Sequence, residues 1–439
     1  MKIINGVADT RSTLLDRDFT KINASPGLQN KLRTVFDRDI TPEEAISEIL
    51  REVQSNGDQA LIKFTNRFDN IQITQIDVTP SEIADAYDAI DSSLLEALNI
   101  AADRIRAFHN RQEIKGWFDT SEGLGQAIRP INRVGLYVPG GSASYPSTVL
   151  MSAIPANIAG VKEIVVATPA QEGGDIHPAT LVACDIAGVN TIYRIGGPHA
   201  IAALAYGTDT IQAVDKICGP GNVLVQLAKK SVFGIVGIDT IQGPSESIVI
   251  ADEHANPVYC AADLLAQAEH SEDACPIFLT TSKDIAQQVL EQTESALQEL
   301  PENSPAHLSL ERNGVIGILD TFDEIVELAN EYAPEHLCLS VKNPMEVADK
   351  FLNAGGIFLG EKSPEVLGDY TAGPSHIMPT SRAARFASPL NVLDFVKITS
   401  LVGIPEHILS EIGAAAKRIG DSEGLPAHAH AAETRLLEN

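Results

Sequence analysis

The sequence predicts an α/β protein: two parallel-sheet domains, one inserted in the other, with a helical N-terminal arm and a helical C-terminal tail. Three observations carry this. The chain has 439 residues, more than one hydrophobic core ordinarily serves. Two series of short apolar strands alternate with helical segments, as in parallel sheets joined by crossovers. Hydrophobic residues make up 44% and aromatics only 5%, a composition suited to strands buried on both faces.

In chain order, residues 1–29 show no strong period and read as an arm. Thr41-Pro42-Glu43-Glu44 is a helix start, with Thr41 as N-cap, Pro42 in the first helical position and Glu44 closing a capping box. Helices continue to about Gln112, and Asp91 restarts one of them as a second N-cap. From Arg133 the pattern changes to a strand at 134–138, the turn Pro139-Gly140-Gly141 and a helix at 146–159. Strands at 163–168, 191–195 and 217–221 follow, with helices starting at Pro198 and Asn222. The second series has strands at 248–251, 276–280, 315–319, 337–341 and 356–359, with helices between them. The helical segment before Arg133 has no sheet of its own and is assigned to the second sheet. The division is then an arm (1–29), a first α/β domain (30–136 and 247–390), an inserted α/β domain (137–246) and a helical tail (391–439).

The charge excludes some functions. With 59 acidic and 32 basic residues the net charge is -27, which opposes binding to nucleic-acid phosphates or anionic membranes. Five cysteines, Cys184, Cys218, Cys260, Cys275 and Cys338, lie scattered in apolar surroundings without a C-x-x-C pair, as in a reducing compartment. No apolar signal region or transmembrane run is seen, so a cytoplasmic protein acting on small molecules is expected.

Ala333-Pro334-Glu335-His336 is the most informative segment. Pro334 disfavours helix at Ala333, so Glu335 and His336 are expected on an irregular loop, where a carboxylate and an imidazole can divide acid and base work. A solvated loop explains the same dipeptide. Gln267 and His270 lie three apart on one helix face and could hold a metal, although a His near a helix C-terminus is also a favourable dipole partner. Asp369 is a plausible third ligand, with His376 seven residues on. Glu423 and His428 place another carboxylate and imidazole in a turn-forming segment near the terminus. Gly219-Pro220-Gly221-Asn222 and Gly196-Gly197-Pro198-His199 each join a strand to a helix, where a nucleotide or simply a tight turn could sit. G-x-G-x-x-G is absent, so the two domains read as incomplete Rossmann-like folds.

Taken in order, these segments resemble the histidinol dehydrogenase family over roughly residues 30–435. The resemblance rests on Val134-Gly135-Leu136-Tyr137-Val138-Pro139-Gly140-Gly141, the run 200–207, Gly219-Pro220-Gly221-Asn222 and Gly243-Pro244-Ser245-Glu246. It continues through Ala266-Gln267-Ala268-Glu269-His270, Ala333-Pro334-Glu335-His336, Gly368-Asp369-Tyr370 and Glu423-Gly424-Leu425-Pro426-Ala427-His428. It implies a zinc-dependent enzyme that oxidises L-histidinol through L-histidinal to L-histidine, using NAD twice, in the last step of histidine biosynthesis. Gln267, His270, Asp369 and His428 would bind one Zn2+ per subunit, and Glu335 and His336 would be the proton acceptors. Ser245, His376 and Glu423, with the metal ligands and His336, would hold substrate. Tyr137, His199 and Asn222 would contact NAD, although the family usually has Gln where this chain has His199; Ser375 stands where Asn is common. The tail would reach into the partner's site in a homodimer. The alternative is a paralogous zinc and NAD dehydrogenase of another small alcohol.

Overall fold

All nine strands expected from the alternating pattern are present in the computed structural model, which describes residues 1–16, 26–140 and 144–437. Gly141 of the first glycine turn and residues 17–25 of the expected arm lie outside the described residues. The strands are β1 (Lys2–Asn5), β2 (Trp117–Asp119), β3 (Leu124–Pro130), β4 (Arg133–Tyr137), β5 (Glu163–Ala167), β6 (Thr191–Tyr193) and β7 (Lys216–Cys218). They continue with β8 (Gly237–Ile238), β9 (Glu246–Ala251), β10 (Cys275–Thr280), β11 (Val315–Ile318), β12 (His336–Ser340), β13 (Gly356–Leu359) and β14 (Val396–Val402). The chain divides into two compact units, Met1–Gln112 with Asn132–Phe395, and Glu113–Ile131 with Val396–Asn439.

The first unit holds two all-parallel sheets, of order β6-β5-β4-β7-β8 and β1-β11-β10-β9-β12-β13. From β4 in the first sheet and from β9 in the second, the chain starts in the middle, adds strands on one side, then returns to add strands on the other, and β1 extends the second sheet beyond β11. That is the doubly wound order without its last strand, and the reversal falls between β4 and β7 in one sheet and between β9 and β12 in the other. Strands β4, β9, β10, β11 and β12 are buried at every position, as parallel strands covered on both faces must be.

Three expectations need correction. The first residues are not an arm: β1 pairs with β11 and the helix Val7–Leu15 packs behind it. A four-residue edge strand is too short to show a period, and its partner lies some 300 residues away in sequence. The helices Pro26–Phe36 and Pro42–Asp69 do not pack on the second sheet; Ile46, Ile49, Leu61 and Phe64 share a core with Ile201, Leu204 and Val225 of the inserted segment. An amphipathic stripe shows that a face is buried, not against what. The tail is not wholly helical. In the second unit β14, β3 and β2 form an antiparallel sheet, followed by the helices Glu406–Ser422 and Pro426–Leu437, which pack closely where Gly420 meets Ala429. The capping box at Thr41 and the N-cap at Asp91 form as expected. All five cysteines are buried, and no described helix is long and apolar enough to cross a membrane.

Candidate active site

The helix Phe322–Tyr332 opens on a capping box between Thr321 and Glu324 and ends where Ala333 takes a left-handed conformation (φ 53°) before Pro334. The expected stop is there, and Glu335 lies in the short irregular link 333–335, but His336 does not: it is the first residue of β12, in register with Ser247 of β9. Glu335 and His336 therefore stand at the amino end of the second sheet, beside its reversal point, and both are buried. Glu335 Oε2 accepts the Glu246 N–H at 3.1 Å and lies 3.7 Å from His336 Nδ1. His336 Nδ1 also faces the Glu246 carbonyl at 3.4 Å, and its Nε2 is 3.6 Å from Asp369 Oδ1. The Phe358 ring, from β13, lies 5.7 Å from the imidazole and covers it on that side.

Asp369 comes from the short helix Glu365–Tyr370, which turns Glu365 and Asp369 toward the same buried region. The Asp369 carbonyl accepts from His376 Nδ1 at 2.7 Å, and His376 Nε2 meets Thr148 Oγ1 at 3.2 Å. Thr148 lies in the first turn of the helix Pro146–Ile158, which follows β4, so the amino end of the second sheet adjoins the carboxyl end of the first. Ser245 is half-buried just before β9, and its carbonyl accepts from Cys275 N–H at 3.0 Å.

These groups shift one another. Burial pushes the Glu335 carboxyl well up, and the His336 charge only partly offsets it. Burial alone would lower the His336 imidazole, but Glu335, Asp369 and Glu365 outweigh it and raise it. For Asp369 burial is outweighed by His336, and its carboxyl ends below the usual range. Burial lowers His376. An acidic pocket with one imidazole at its centre favours cationic and proton-accepting chemistry.

At the reversal point of the first sheet, the Tyr137 hydroxyl accepts the Gly197 N–H at 3.0 Å, and burial pushes its pKa up to about 12. Asn222 caps the helix Val223–Val232, its Oδ1 accepting from Leu224 at 3.1 Å and Val225 at 3.2 Å. A Cβ on Gly221 would lie 2.4 Å from Val225 Cγ1 and 3.2 Å from the Tyr137 ring, so glycine is required there. The helices Pro146–Ile158, Gly197–Tyr206 and Val223–Val232 all start at this edge, and none has an acidic residue in its first turn. Their first turns therefore hold no negative side chain to compete with an anion, while Asp69 stands near enough to act on Tyr137.

A family model for histidinol dehydrogenase matches residues 33–436. The chain belongs to the histidinol dehydrogenase family. Histidinol dehydrogenase of Dehalococcoides mccartyi is 47% identical over 439 residues, covering 99% of this chain and all of the relative. That of Bacillus cereus is 50% identical over 401 residues, 91% of this chain and 93% of the relative. The crystal structure of histidinol dehydrogenase from Elizabethkingia anophelis superposes with a TM-score of 0.91 at 37% identity, covering 100% of this chain and 98% of that one.

For this member of the histidinol dehydrogenase family, the donor set can be tested against a metal. Gln267 is 0% exposed and neither its Oε1 nor its Nε2 has a partner, the condition of an amide made to ligate. His270 Nδ1–H donates to the Ala266 carbonyl at 3.0 Å, which leaves Nε2 as the free donor. With Asp369 these residues fit a cation. Among the described residues no three His, Cys, Asp or Glu side chains converge as a metal cluster. Glu423 ends the helix Glu406–Ser422 and His428 lies early in the helix Pro426–Leu437; both are exposed on the second unit.

His199, expected to touch the cofactor, is walled in. Its ring is fully buried, stacked on Phe68, close to Phe64 and 3.1 Å from Thr65 Oγ1 through Nε2. Burial lowers its pKa to about 3, so it is a neutral support beneath the Gly196-Gly197 turn. Sequence reasoning missed Glu365, whose Oε2 accepts from Ser247 Oγ at 2.7 Å, and Thr148, because neither carries a local motif. Glu246 stood in the Gly243-Pro244-Ser245-Glu246 motif, and its conjunction with Glu335 was the available signal.

Proposed function

We propose that this chain is a zinc-dependent histidinol dehydrogenase that oxidises L-histidinol to L-histidinal and then to L-histidine, the last step of histidine biosynthesis in the cytoplasm. The observation that carries the reading is a fully buried, unpartnered Gln267 amide one helical turn before His270, on a helix that contacts the one bearing Asp369, itself 3.6 Å from His336. Gln267, His270 and Asp369 would hold Zn2+ together with His428 from a second copy of the chain, and the Tyr137–Asn222 edge would hold NAD. When bound, zinc would supply a fixed positive anchor that orients the substrate, and NAD the hydride acceptor used once in each oxidation.

The protein's own groups divide the remaining work. His336 takes the alcohol proton in the first oxidation. Its carboxylate neighbours support the charge it then carries. Glu335, anchored by the Glu246 N–H, takes a proton from the water that adds to the aldehyde before the second oxidation. Ser245 and His376 line the place for the substrate, and the partner's tail would bring Glu423. His199 supports the NAD turn from beneath. Because Glu423 and His428 stand exposed on a compact unit of their own, a homodimer with shared sites is the assembly proposed. The test is NADH formation from histidinol, with and without a chelator and added zinc. Two NADH per histidinol, lost on chelation and restored by zinc, is expected; no NADH, or one with histidinal accumulating, overturns the reading.

A further inference from the structure

A buried ion pair grips the two peptide groups that flank Gly219, in the turn that follows β7. Gly219 donates its N–H to Asp239 Oδ2 at 2.7 Å, while its carbonyl accepts from Lys229 Nζ at 2.8 Å. The two charges stand 2.5 Å apart, with side-chain exposures of 0% for Lys229 and 4% for Asp239. Lys229 comes from the helix Val223–Val232 and Asp239 from just beyond β8, so the clamp closes on the turn from two directions. Gly219 has φ +120°, and a Cβ there would lie 2.1 Å from the Tyr137 carbonyl oxygen. The clamped residue therefore lies directly against the backbone of Tyr137.

The next part of the turn is tied as well. Gln226 Nε2 donates to the Gly221 carbonyl at 3.3 Å, and its Oε1 accepts the Gln242 N–H at 3.1 Å. Gln242 precedes Gly243-Pro244-Ser245, the approach to the amino end of β9. Stability does not account for the ion pair, since replacing a buried pair with apolar side chains of similar volume is commonly neutral or stabilising. What an apolar pair could not do is fix the two successive peptide planes on either side of Gly219, one through its N–H and the next through its C=O.

We propose that Lys229 and Asp239 are positioning residues for the dinucleotide: by clamping the peptide groups on both sides of Gly219 they hold Gly221 and Asn222 where NAD must meet them. This rests on the reading that NAD binds at the β4–β7 reversal point. The experiment is an NADH fluorescence titration with steady-state kinetics on the full-length, zinc-loaded protein. The variants are Lys229→Met, Asp239→Asn, the double Lys229→Met/Asp239→Leu, and Asn222→Ala as a control. Losing a hydrogen bond to a charged group corresponds to roughly ten- to hundredfold in affinity. Each single variant is expected to raise the KM for NAD and weaken NADH binding by about that factor, with kcat at saturating NAD, the KM for histidinol and zinc content little changed. The double variant should recover thermal stability without recovering NAD affinity, which separates positioning from mere support. Folded variants with wild-type NAD affinity, or a double variant that regains it, overturn the proposal. If Lys229→Met does not fold, Asp239→Asn, which keeps the side-chain shape, decides alone. Failure of the underlying reading looks different: wild-type protein that binds no NADH, or Asn222→Ala binding it as wild type does, overturns both.

Discussion

Replacing Gln267 with Met should make the metal-free protein more stable and the zinc-loaded protein less so. The amide is fully buried with both polar atoms unpaired, a condition that costs about 1–3 kcal/mol on the scale of protein mutational data. Met keeps the length and removes both polar atoms, so in excess chelator the variant is expected to gain about that 1–3 kcal/mol. Zinc acts in the other direction. A ligand at a thousandfold excess over its dissociation constant stabilises the native state by about 4 kcal/mol, and loss of a ligand atom should remove much of that in the variant. The stability order of the two proteins therefore reverses between chelator and zinc. Because the chain forms two compact units, a single melting midpoint is ambiguous; hydrogen exchange at β9 and β12 reports the relevant region. A variant that is destabilised in chelator, and that still carries a full complement of zinc by elemental analysis, would refute the reasoning.

Four further outcomes are expected. Glu335→Gln should retain oxidation of histidinol to histidinal while losing about 100- to 10,000-fold in aldehyde oxidation; equal losses in the two half-reactions, measured separately, contradict the division of labour. His199→Ala removes a ring packed on Phe64 and Phe68 and should cost about 2–4 kcal/mol of stability; a raised KM for NAD at unchanged stability would show the ring swinging out to the cofactor instead. Glu365 is raised from 4.5 to about 7, first by burial, so the folded chain holds a proton that the unfolded chain has already lost. Metal-free stability should accordingly fall as pH rises from about 4.5 to about 7, and Glu365→Gln should flatten that slope; an unchanged slope in chelator argues against it. Finally, His336→Ala and His428→Ala should each be inactive but regain about a quarter of wild-type activity when co-expressed, since half of randomly paired dimers carry one intact site. No recovery in tagged heterodimers would remove His428 from a shared site.

The legible parts of this chain were those where local chemistry has no competitor. Pro334 had to end a helix, Thr41 and Asp91 had to begin one, and all strands of the two parallel sheets except β1 and β8 announced themselves as apolar runs between turn residues. What stayed hidden depended on partners distant in sequence. Four residues, Lys2 to Asn5, become a strand only because β11 offers its edge. The sequence Val396–Val402 carried enough β-branched residues to be read as a strand, yet the Ala-rich helices after it drew the whole tail into a helical reading. In the site, Gln267, His270 and Asp369 could be picked out by type and spacing. The burial of the Gln267 amide, which gives the metal reading its weight, could not. His199 is the reverse case: its position in the motif was visible, but the aromatic pocket that encloses it comes from a helix some 130 residues earlier.

The carboxyl end of the first sheet adjoins the amino end of the second, and the two ends differ in charge. At the first, three helices begin, and their positive ends carry no acidic residue. At the second the chain arrives at β10 and β12 from the ends of the helices Pro257–Ala268 and Phe322–Tyr332, whose negative ends add to Glu335, Glu365 and Asp369. A molecule with a diphosphate at one end and a cationic amine or imidazole partner at the other would be turned the right way round before any side chain recognised it. A reversed approach would meet like charge at both ends.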